Sequence, residues 1–264
     1  MNQTLPHAGI MLNQYTAESL ALFTQMDTQP TTTGKNAIDA AIRSLKNAGY
    51  WQRLDSLYVP KKSNAQQSAG IDWKRPTVEA VLCGSATWAA ANGFVGNSGA
   101  NSYIDTLFAP HLNAVNYALN SGSMGAIVDT ATYDASSKAL FGVVGTTGNF
   151  ATFRVSNSGT TTHINSNGGL SDADVITTGG FHVVQRAASS THQVYADGVE
   201  TKTGFTTSTG LPDRVVYLLA YNNNGTTAEM CASKIAMWYA GDEFTGAEQI
   251  AIKAIFTTLF AALP

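Results

Sequence analysis

The sequence has 264 residues, 44% of them hydrophobic, which is enough for one large domain with a real core or for two small domains. Only 12% of the residues are charged, about half the usual share in a soluble domain, and the formal net charge is −3. No basic run is longer than the pairs Lys61-Lys62 and Lys74-Arg75, so this composition argues against binding to the phosphate backbone of nucleic acids.

The sequence also argues against a membrane protein and against a zinc protein. It contains no stretch of about 18 apolar residues, the length that a helix needs to cross a bilayer. Its first residues lack a basic flank and include Glu18, which is not typical of a secretory signal, so we expect synthesis in the cytoplasm and no membrane insertion. The two cysteines, Cys83 and Cys231, have no metal-binding spacing, and two separate buried thiols fit them better than a disulfide.

The first region, residues 1–76, is predicted to be helical and irregular. Residues Lys35–Ala48 place apolar side chains at three- and four-residue spacing, which indicates one apolar stripe on a helix. Gly49 follows where a helix C-terminus favours a left-handed residue. The apolar cluster that comes next, Tyr50–Tyr58, requires a partner, either the rest of this chain or a neighbouring subunit.

The second region is predicted to consist of repeated short strands. Residues Phe181–Ala187 and His192–Ala196 alternate between apolar and polar side chains, and Asp197-Gly198 is the strongest hairpin signal because it tolerates a positive φ. Residues Arg214–Tyr221 carry apolar side chains on both faces, which predicts a strand inside a sandwich, and an asparagine-rich loop follows. Strands with turns between them and no helices indicate a sandwich or a barrel.

The third region is a single C-terminal helix. Thr245 and Glu248 form a capping box, in which each side chain satisfies a free backbone donor at the helix start. Lys253 is the only charged residue after Glu248, so the helix is too apolar to be freely solvated. It must therefore pack on its own domain or on another chain.

Four segments in order resemble a known family. They are AAIRSLKNAGYWQRLDSLYV (Ala40–Val59), NGFVGNSGANSYIDTLFAP (Asn92–Pro110), GFHVVQRAASSTHQVYADGVE (Gly180–Glu200) and AMWYAGDEFTGAEQ (Ala236–Gln249). Together they resemble the concanavalin A-like (laminin G-like) structural proteins of tailed bacteriophages and prophages. The resemblance implies an antiparallel jelly-roll sandwich carried on a virion. With the three regions above, we predict an all-β sandwich at residues 77–264, which includes the C-terminal helix, after a helical and irregular anchoring region at residues 1–76. It fixes no set of binding residues.

The sequence offers no convincing catalytic or metal site. The glucanases of related fold place two or three carboxylates on one strand, and no such run occurs here. Asp242-Glu243 precedes the helix cap, where the helix dipole explains it. Asp172 and Asp174 have a spacing that suits Ca²⁺, although a solvated turn explains them as well. We therefore predict a protein that is not an enzyme and has no cofactor, with calcium at Asp172 and Asp174 as the alternative.

Together these observations predict a virion protein that forms a homo-oligomer with other virion proteins as partners. The first hypothesis is a tail-associated fibre or receptor-binding module that recognises host surface glycans, with Asn222, Asn223 and Asn224 as candidate carbohydrate-binding residues. The alternative is a capsid decoration protein or head fibre without a sugar site. A polysaccharide-cleaving enzyme is disfavoured by the missing carboxylates. The anchor is expected in the N-terminal region or in the C-terminal helix.

Overall fold

The structure is a computed structural model that describes residues 14–99, 101–130, 137–156, 159–172 and 179–264. In these ranges the α-helices are α1 (Ala17–Gln25), α2 (Thr32–Asn47), α3 (Gln66–Gly70), α4 (Pro110–Asn113) and α5 (Gly246–Ala262), and a 3-10 helix covers Trp51–Arg53. None of these described helices is long and apolar enough to span a bilayer. The rest of the regular structure is β.

The strands form two sheets. In spatial order the first sheet contains β13 (Val199–Phe205), β12 (Thr191–Ala196), β11 (Gly180–Ala188), β6 (Gly122–Thr130), β17 (Lys234–Gly241), β4 (Gly93–Val95) and β3 (Thr87–Ala89), and β1 (Leu54–Tyr58) also pairs with β17. The second contains β10 (Leu170–Asp172), β9 (Gly159–Ser166), β8 (Phe150–Ser156), β7 (Lys138–Val144), β14 (Tyr217–Leu218), β5 (Tyr103–Asp105) and β2 (Val81–Cys83), with the hairpin of β15 (Tyr221–Asn223) and β16 (Thr226–Ala228) beside β7.

The two sheets pack face to face around an apolar core. Phe141, Phe153 and Leu218 of the second sheet meet Met124 and Trp238 of the first sheet in one buried cluster. Almost every strand pairing is antiparallel, and the exception is β15 with β7. This arrangement confirms the predicted fold class, an antiparallel β-sandwich with helices near the N-terminus and at the C-terminus.

A second buried cluster lies between the first sheet and the helices. Met237 and Tyr239 of β17 point away from the sandwich core and pack with Ile42 of α2 and with Ile252 and Phe256 of α5. We call α1, α2 and α5 the helical layer. The C-terminal helix and the apolar cluster after Gly49 therefore pack against this chain's own sandwich, which answers the question that the sequence left open.

Several local predictions are confirmed. Helix α2 buries the predicted stripe, and Gly49 follows it with φ +75°. Both hydrogen bonds of the Thr245–Glu248 capping box are present. Asp197 and Gly198 have φ of 54° and 80° between β12 and β13, as a type I′ hairpin requires. Cys83 and Cys231 are separate thiols as predicted, but only Cys231 is buried, because Cys83 lies on the outer side of β2.

Two local predictions are wrong. Residues Arg214–Tyr221 do not form one strand: β14 ends at Leu218, and Leu219 has φ +62°, which turns the chain out of the ladder before β15. Residues 54–58 are not irregular, because β1 pairs with β17. That pairing joins residues about 180 positions apart in the sequence, and no local pattern indicates such a contact.

Candidate functional site

The outer faces of the two sheets differ in what covers them. The helical layer packs on the outer face of the first sheet. On the second sheet, the side chains that alternate with the core residues point outward, and several are half-exposed. We call this outer surface the open face. Its partly exposed outward residues include Cys83, Tyr103, Asp105, Phe150 and Arg154, whereas His163 and Tyr217 also point outward but are buried beneath their neighbours.

A pair of stacked tyrosines lies on the open face, with Tyr103 partly exposed and Tyr217 buried. The rings of Tyr103 on β5 and Tyr217 on β14 are stacked, with centroids 4.1 Å apart and an angle of 26° between the planes. Cys83 lies opposite Tyr103 in the β2–β5 ladder. The contact with the Cys83 thiol, together with burial, raises the pKa of Tyr103, so its hydroxyl stays protonated at neutral pH. The pair therefore offers an apolar ring and a hydrogen-bonding hydroxyl.

A carboxyl group lies next to the tyrosines. Asp105 is opposite Tyr217 in the β5–β14 ladder, and burial raises the pKa of its carboxyl above the ordinary value. Its Oδ1 accepts a hydrogen bond from the amide of Leu107 at 2.9 Å. This is one hydrogen bond for a group with several acceptor positions, so the carboxyl retains capacity for a ligand.

An arginine–glutamate pair occupies the middle of the open face. Arg154 Nε donates to Glu229 Oε2 at 2.7 Å, and Arg154 Nη2 donates to Glu229 Oε1. Ser137 Oγ also donates to Glu229 Oε2, at 2.9 Å, and the guanidinium lies 5.5 Å from the ring centroid of Tyr221. Because one carboxylate engages two nitrogens of the guanidinium, the two charges neutralise each other.

The three candidate asparagines have different environments. Asn222 is buried: its Nδ2 donates to the carbonyl of Val215 at 3.0 Å, and its Oδ1 accepts from the amide of Gly225 at 2.6 Å. Asn223 and Asn224 are exposed where β15 turns into β16. Asn224 and Gly225 have φ of 50° and 95°, the values of a type I′ turn. Asn222 therefore holds the hairpin in place, and the other two asparagines face solvent.

The structure brings a further residue to this hairpin. The exposed side chain of Arg214 donates from Nε to Asn224 Oδ1 at 3.3 Å. The adjacent Asp213 accepts from the amide of Thr146 at 2.7 Å and from its hydroxyl, and these bonds lower the pKa of Asp213. The sequence contains no motif that marks Arg214, because the contact depends on the turn at Leu219.

The calcium candidates remain untested as a metal site. Asp174 lies outside the described residues, and of Asp172 the structure describes only the backbone, at the end of β10. Within the described ranges, no group of three histidine, cysteine, aspartate or glutamate side chains is placed to hold a metal ion. Calcium at this end of the sandwich therefore stays a prediction.

The carboxylate pair of Asp242 and Glu243 lies away from the open face. Ser121 Oγ is in hydrogen-bonding contact with both carboxyl groups, and Arg53 binds Asp242 at 3.3 Å and Glu248 at 2.6 Å. Burial raises the pKa of Glu243 to about 7, and the Asp242 carboxylate adds to the shift. Through Arg53, the pair links the end of β17 to the 3-10 helix and to α5. The sequence suggested only an interaction with the helix dipole, whereas the structure adds these side-chain contacts.

No protein-family model matches the sequence, and comparison with curated proteins gives no match. Solved structures do match the fold. The Trypanosoma rangeli sialidase in complex with sialic acid aligns with 84% of this chain at 14% identity and a TM-score of 0.53. A mutant of HCR/D aligns with 76% of this chain at 10% identity and a TM-score of 0.56.

The aligned part is 38% of the sialidase chain and 52% of the HCR/D chain, so this chain corresponds to only a part of each protein. At identities this low the likeness establishes the β-sandwich fold alone. It agrees with the concanavalin A-like architecture that the sequence resemblance implies.

Proposed function

We propose that this chain is a glycan-recognising β-sandwich module that acts without catalysis and is carried on the virion of a tailed phage. The observation that supports glycan recognition is the contrast between the two sheets. Helices cover the outer face of the first sheet, whereas the open face presents the partly exposed ring of Tyr103, which stacks on the buried Tyr217, a carboxyl group and two exposed asparagines. The phage assignment is supported by the four segments Ala40–Val59, Asn92–Pro110, Gly180–Glu200 and Ala236–Gln249.

The open face has the chemical groups that a sugar requires. A sugar ring has apolar faces of C–H groups, which pack on aromatic rings, and hydroxyls around its edge, which bind planar amides and carboxylates. The ring of Tyr103 supplies the first kind of contact, and Asp105, Asn223 and Asn224 supply the second. The bound sialic acid in the sialidase complex shows a sugar ligand on a protein that shares this fold over part of its length.

The absence of catalysis is supported by how the acids are placed. Hydrolysis of a glycosidic bond commonly uses two carboxyl groups on either side of one bond. On the open face, the Glu229 carboxylate is bound to Arg154, so it is not free to act together with Asp105. Asp242 and Glu243, which follow β17 of the first sheet, both contact the hydroxyl of Ser121 and lie away from the open face.

The proposal is tested by glycan-array binding of the wild-type chain and two variants. Tyr103→Ala removes half of the stacked pair, and we expect at least about tenfold weaker binding to the glycans that the wild type retains. Tyr15→Ala is the matched control, because Tyr15 packs edge-on against Phe23 in the helical layer. Equal binding by wild type and Tyr103→Ala, or no glycan bound by the wild type, contradicts the proposal.

Catalysis is tested separately with host surface polysaccharide. We expect no release of reducing sugar by the wild-type chain. Release that is lost in Asp172→Asn or Asp174→Asn would establish an enzyme and would identify the substituted aspartate as a catalytic acid. Release that is lost in Glu243→Gln would instead place a catalytic acid just after the end of β17.

A second candidate function, capsid decoration, is favoured by the surface at one end of the sandwich. Residues 106–128 and 206–212 contain no lysine, arginine, aspartate or glutamate. Leu112, Val115 and Phe205 near this end are 73%, 88% and 84% exposed, which suits packing against another protein. Electron microscopy of intact virions separates the two roles: density on the capsid shell favours decoration, and density on the tail favours receptor binding.

A further inference from the structure

Two arginines near the open face are held in different ways. Arg154 is half-buried and gives two of its guanidinium nitrogens to Glu229. Arg214 is exposed and gives only Nε, to Asn224 Oδ1 at 3.3 Å. Among the described residues, no carboxylate lies within ion-pair distance of Arg214. Its two terminal nitrogens therefore remain available to a ligand.

The backbone around Arg214 is fixed by hydrogen bonds. The buried side chain of Asn222 joins the carbonyl of Val215 to the amide of Gly225, and the amide of Asn224 donates to the carbonyl of Val144 at 3.1 Å. The hairpin tip and the residue after Arg214 are thus tied to one another and to the end of β7. Holding Nε at Asn224 then restricts the plane of the guanidinium and lowers the entropy that binding must overcome.

The carboxylate of Asp213, next to Arg214 in the sequence, already has hydrogen-bond partners. Asp213 directs both carboxylate oxygens to Thr146, at the amide and at the hydroxyl. These bonds keep the Asp213 carboxylate on the β7–β8 turn and away from the guanidinium, although its negative charge still weakens the local potential. The amide side chain of Asn223, the residue before Asn224, is exposed.

We propose that Arg214 is the residue that gives the open face a preference for carboxylate-bearing saccharides, such as uronic or sialic acids, over neutral ones. A planar guanidinium with two open nitrogens matches a carboxylate with two parallel hydrogen bonds, which a neutral hydroxyl cannot reproduce. Arg154 cannot bind a ligand carboxylate in this way, because two of its guanidinium nitrogens already donate to the carboxylate of Glu229. The inference rests on the proposed glycan recognition and specifies its ligand class.

The test uses saccharide pairs that differ only in the carboxylate, such as a hexuronate oligosaccharide and its neutral hexose counterpart, or a sialylated glycan and its desialylated form. Binding is measured by calorimetry with the full chain. We expect the wild type to bind the acidic member about tenfold more tightly. Arg214→Gln should remove that preference, because the affinity for the acidic member falls about tenfold. Arg43→Gln, which changes an exposed arginine of the helical layer, should behave like the wild type.

The outcomes separate this inference from the proposed function. An acidic preference that disappears in Arg214→Gln and persists in Arg43→Gln supports both. Glycan binding without an acidic preference, or with a preference that survives Arg214→Gln, overturns the role of Arg214 and leaves glycan recognition intact. No binding of any saccharide by the wild type overturns the proposed function, and the inference with it.

Discussion

The outer faces of the two sheets have opposite compositions. Phe181, Met237 and Tyr239 on the first sheet are apolar and fully or almost fully buried beneath the helical layer. Tyr103 and Arg154 on the second sheet are only partly buried and carry polar groups. Burial of apolar surface is the main source of stability, so the covered sheet contributes mostly to folding. The open face retains the groups that can bind a ligand.

The largest expected effect is on the covered side. Phe256 of α5 is fully buried and packs near Trp73, with ring centroids 6.5 Å apart. Phe256→Ala should lower the free energy of unfolding by about 3–5 kcal/mol, because it leaves a cavity in the helical layer. Chemical denaturation measures this change, and Thr257→Ala at an exposed position of the same helix should change it by less than about 0.5 kcal/mol. Similar losses in both variants would mean that α5 does not pack as described.

The second effect is a pH dependence of stability that arises in the sheets and not in the helical layer. His163 and His192 lie in the sheets, and α1, α2 and α5 contain no histidine. Burial lowers the pKa of His163 to about 4 and that of His192 to about 3. Both are neutral in the fold, whereas an unfolded histidine takes up a proton near pH 6.5, so stability is complete above pH 6.5 and falls as the pH drops toward 4.

Each histidine should contribute a loss of about 1.4 kcal/mol per pH unit in that window, or about 2 kcal/mol by pH 5. Denaturation midpoints between pH 7 and pH 5 measure the slope. His192→Gln should flatten the slope by one histidine's share, and His111→Gln, which alters an exposed histidine, should not. A slope unchanged in His192→Gln would show that this side chain is not buried in its neutral form.

The third effect concerns the ion pair on the open face. Arg154 and Glu229 are only 23% and 20% exposed at their side chains, so the pair is partly shielded from solvent. A double-mutant cycle with Arg154→Gln and Glu229→Gln should give a coupling free energy of about 1 kcal/mol. The same cycle should change little between low and high salt, because shielded pairs are weakly screened. A coupling near zero would indicate that the guanidinium is available to ligands after all.

The last comparison is between two neighbouring asparagines of the β15–β16 hairpin. Asn222→Ala removes two hydrogen bonds of a buried amide and should cost about 1–3 kcal/mol. Asn223→Ala changes an exposed residue and should cost less than about 0.5 kcal/mol while weakening glycan binding. Denaturation and calorimetry measure the two properties. If Asn223→Ala binds glycans as the wild type does, the hairpin tip lies outside the binding surface.

Features encoded by neighbouring residues could be predicted from the sequence. The Thr245–Glu248 capping box and the turn at Asp197-Gly198 are set by side-chain and backbone preferences over a few residues, and both occur in the structure. The alternation of apolar residues similarly predicts the sandwich. These signals act over short distances and need no knowledge of the tertiary fold.

The candidate site depends on longer-range contacts and could be predicted only in part. The three asparagines look equivalent in the sequence, yet Asn222 alone turns inward, because its amide finds partners at Val215 and Gly225. Arg214 was missed because only the turn at Leu219 brings it to Asn224. The covering of one sheet and not the other results from the docking of helices that are far apart along the chain, which no local pattern specifies.

The most direct test of the central claim is hydrogen–deuterium exchange of the full chain with and without a glycan that it binds. We predict that protection on binding is confined to the open face, in β5, β8 and β14 and in the β15–β16 hairpin. The helices α1, α2 and α5 should exchange at the same rate in both samples. Protection concentrated in those helices, with the second sheet unchanged, would contradict the assignment of the open face as the binding surface.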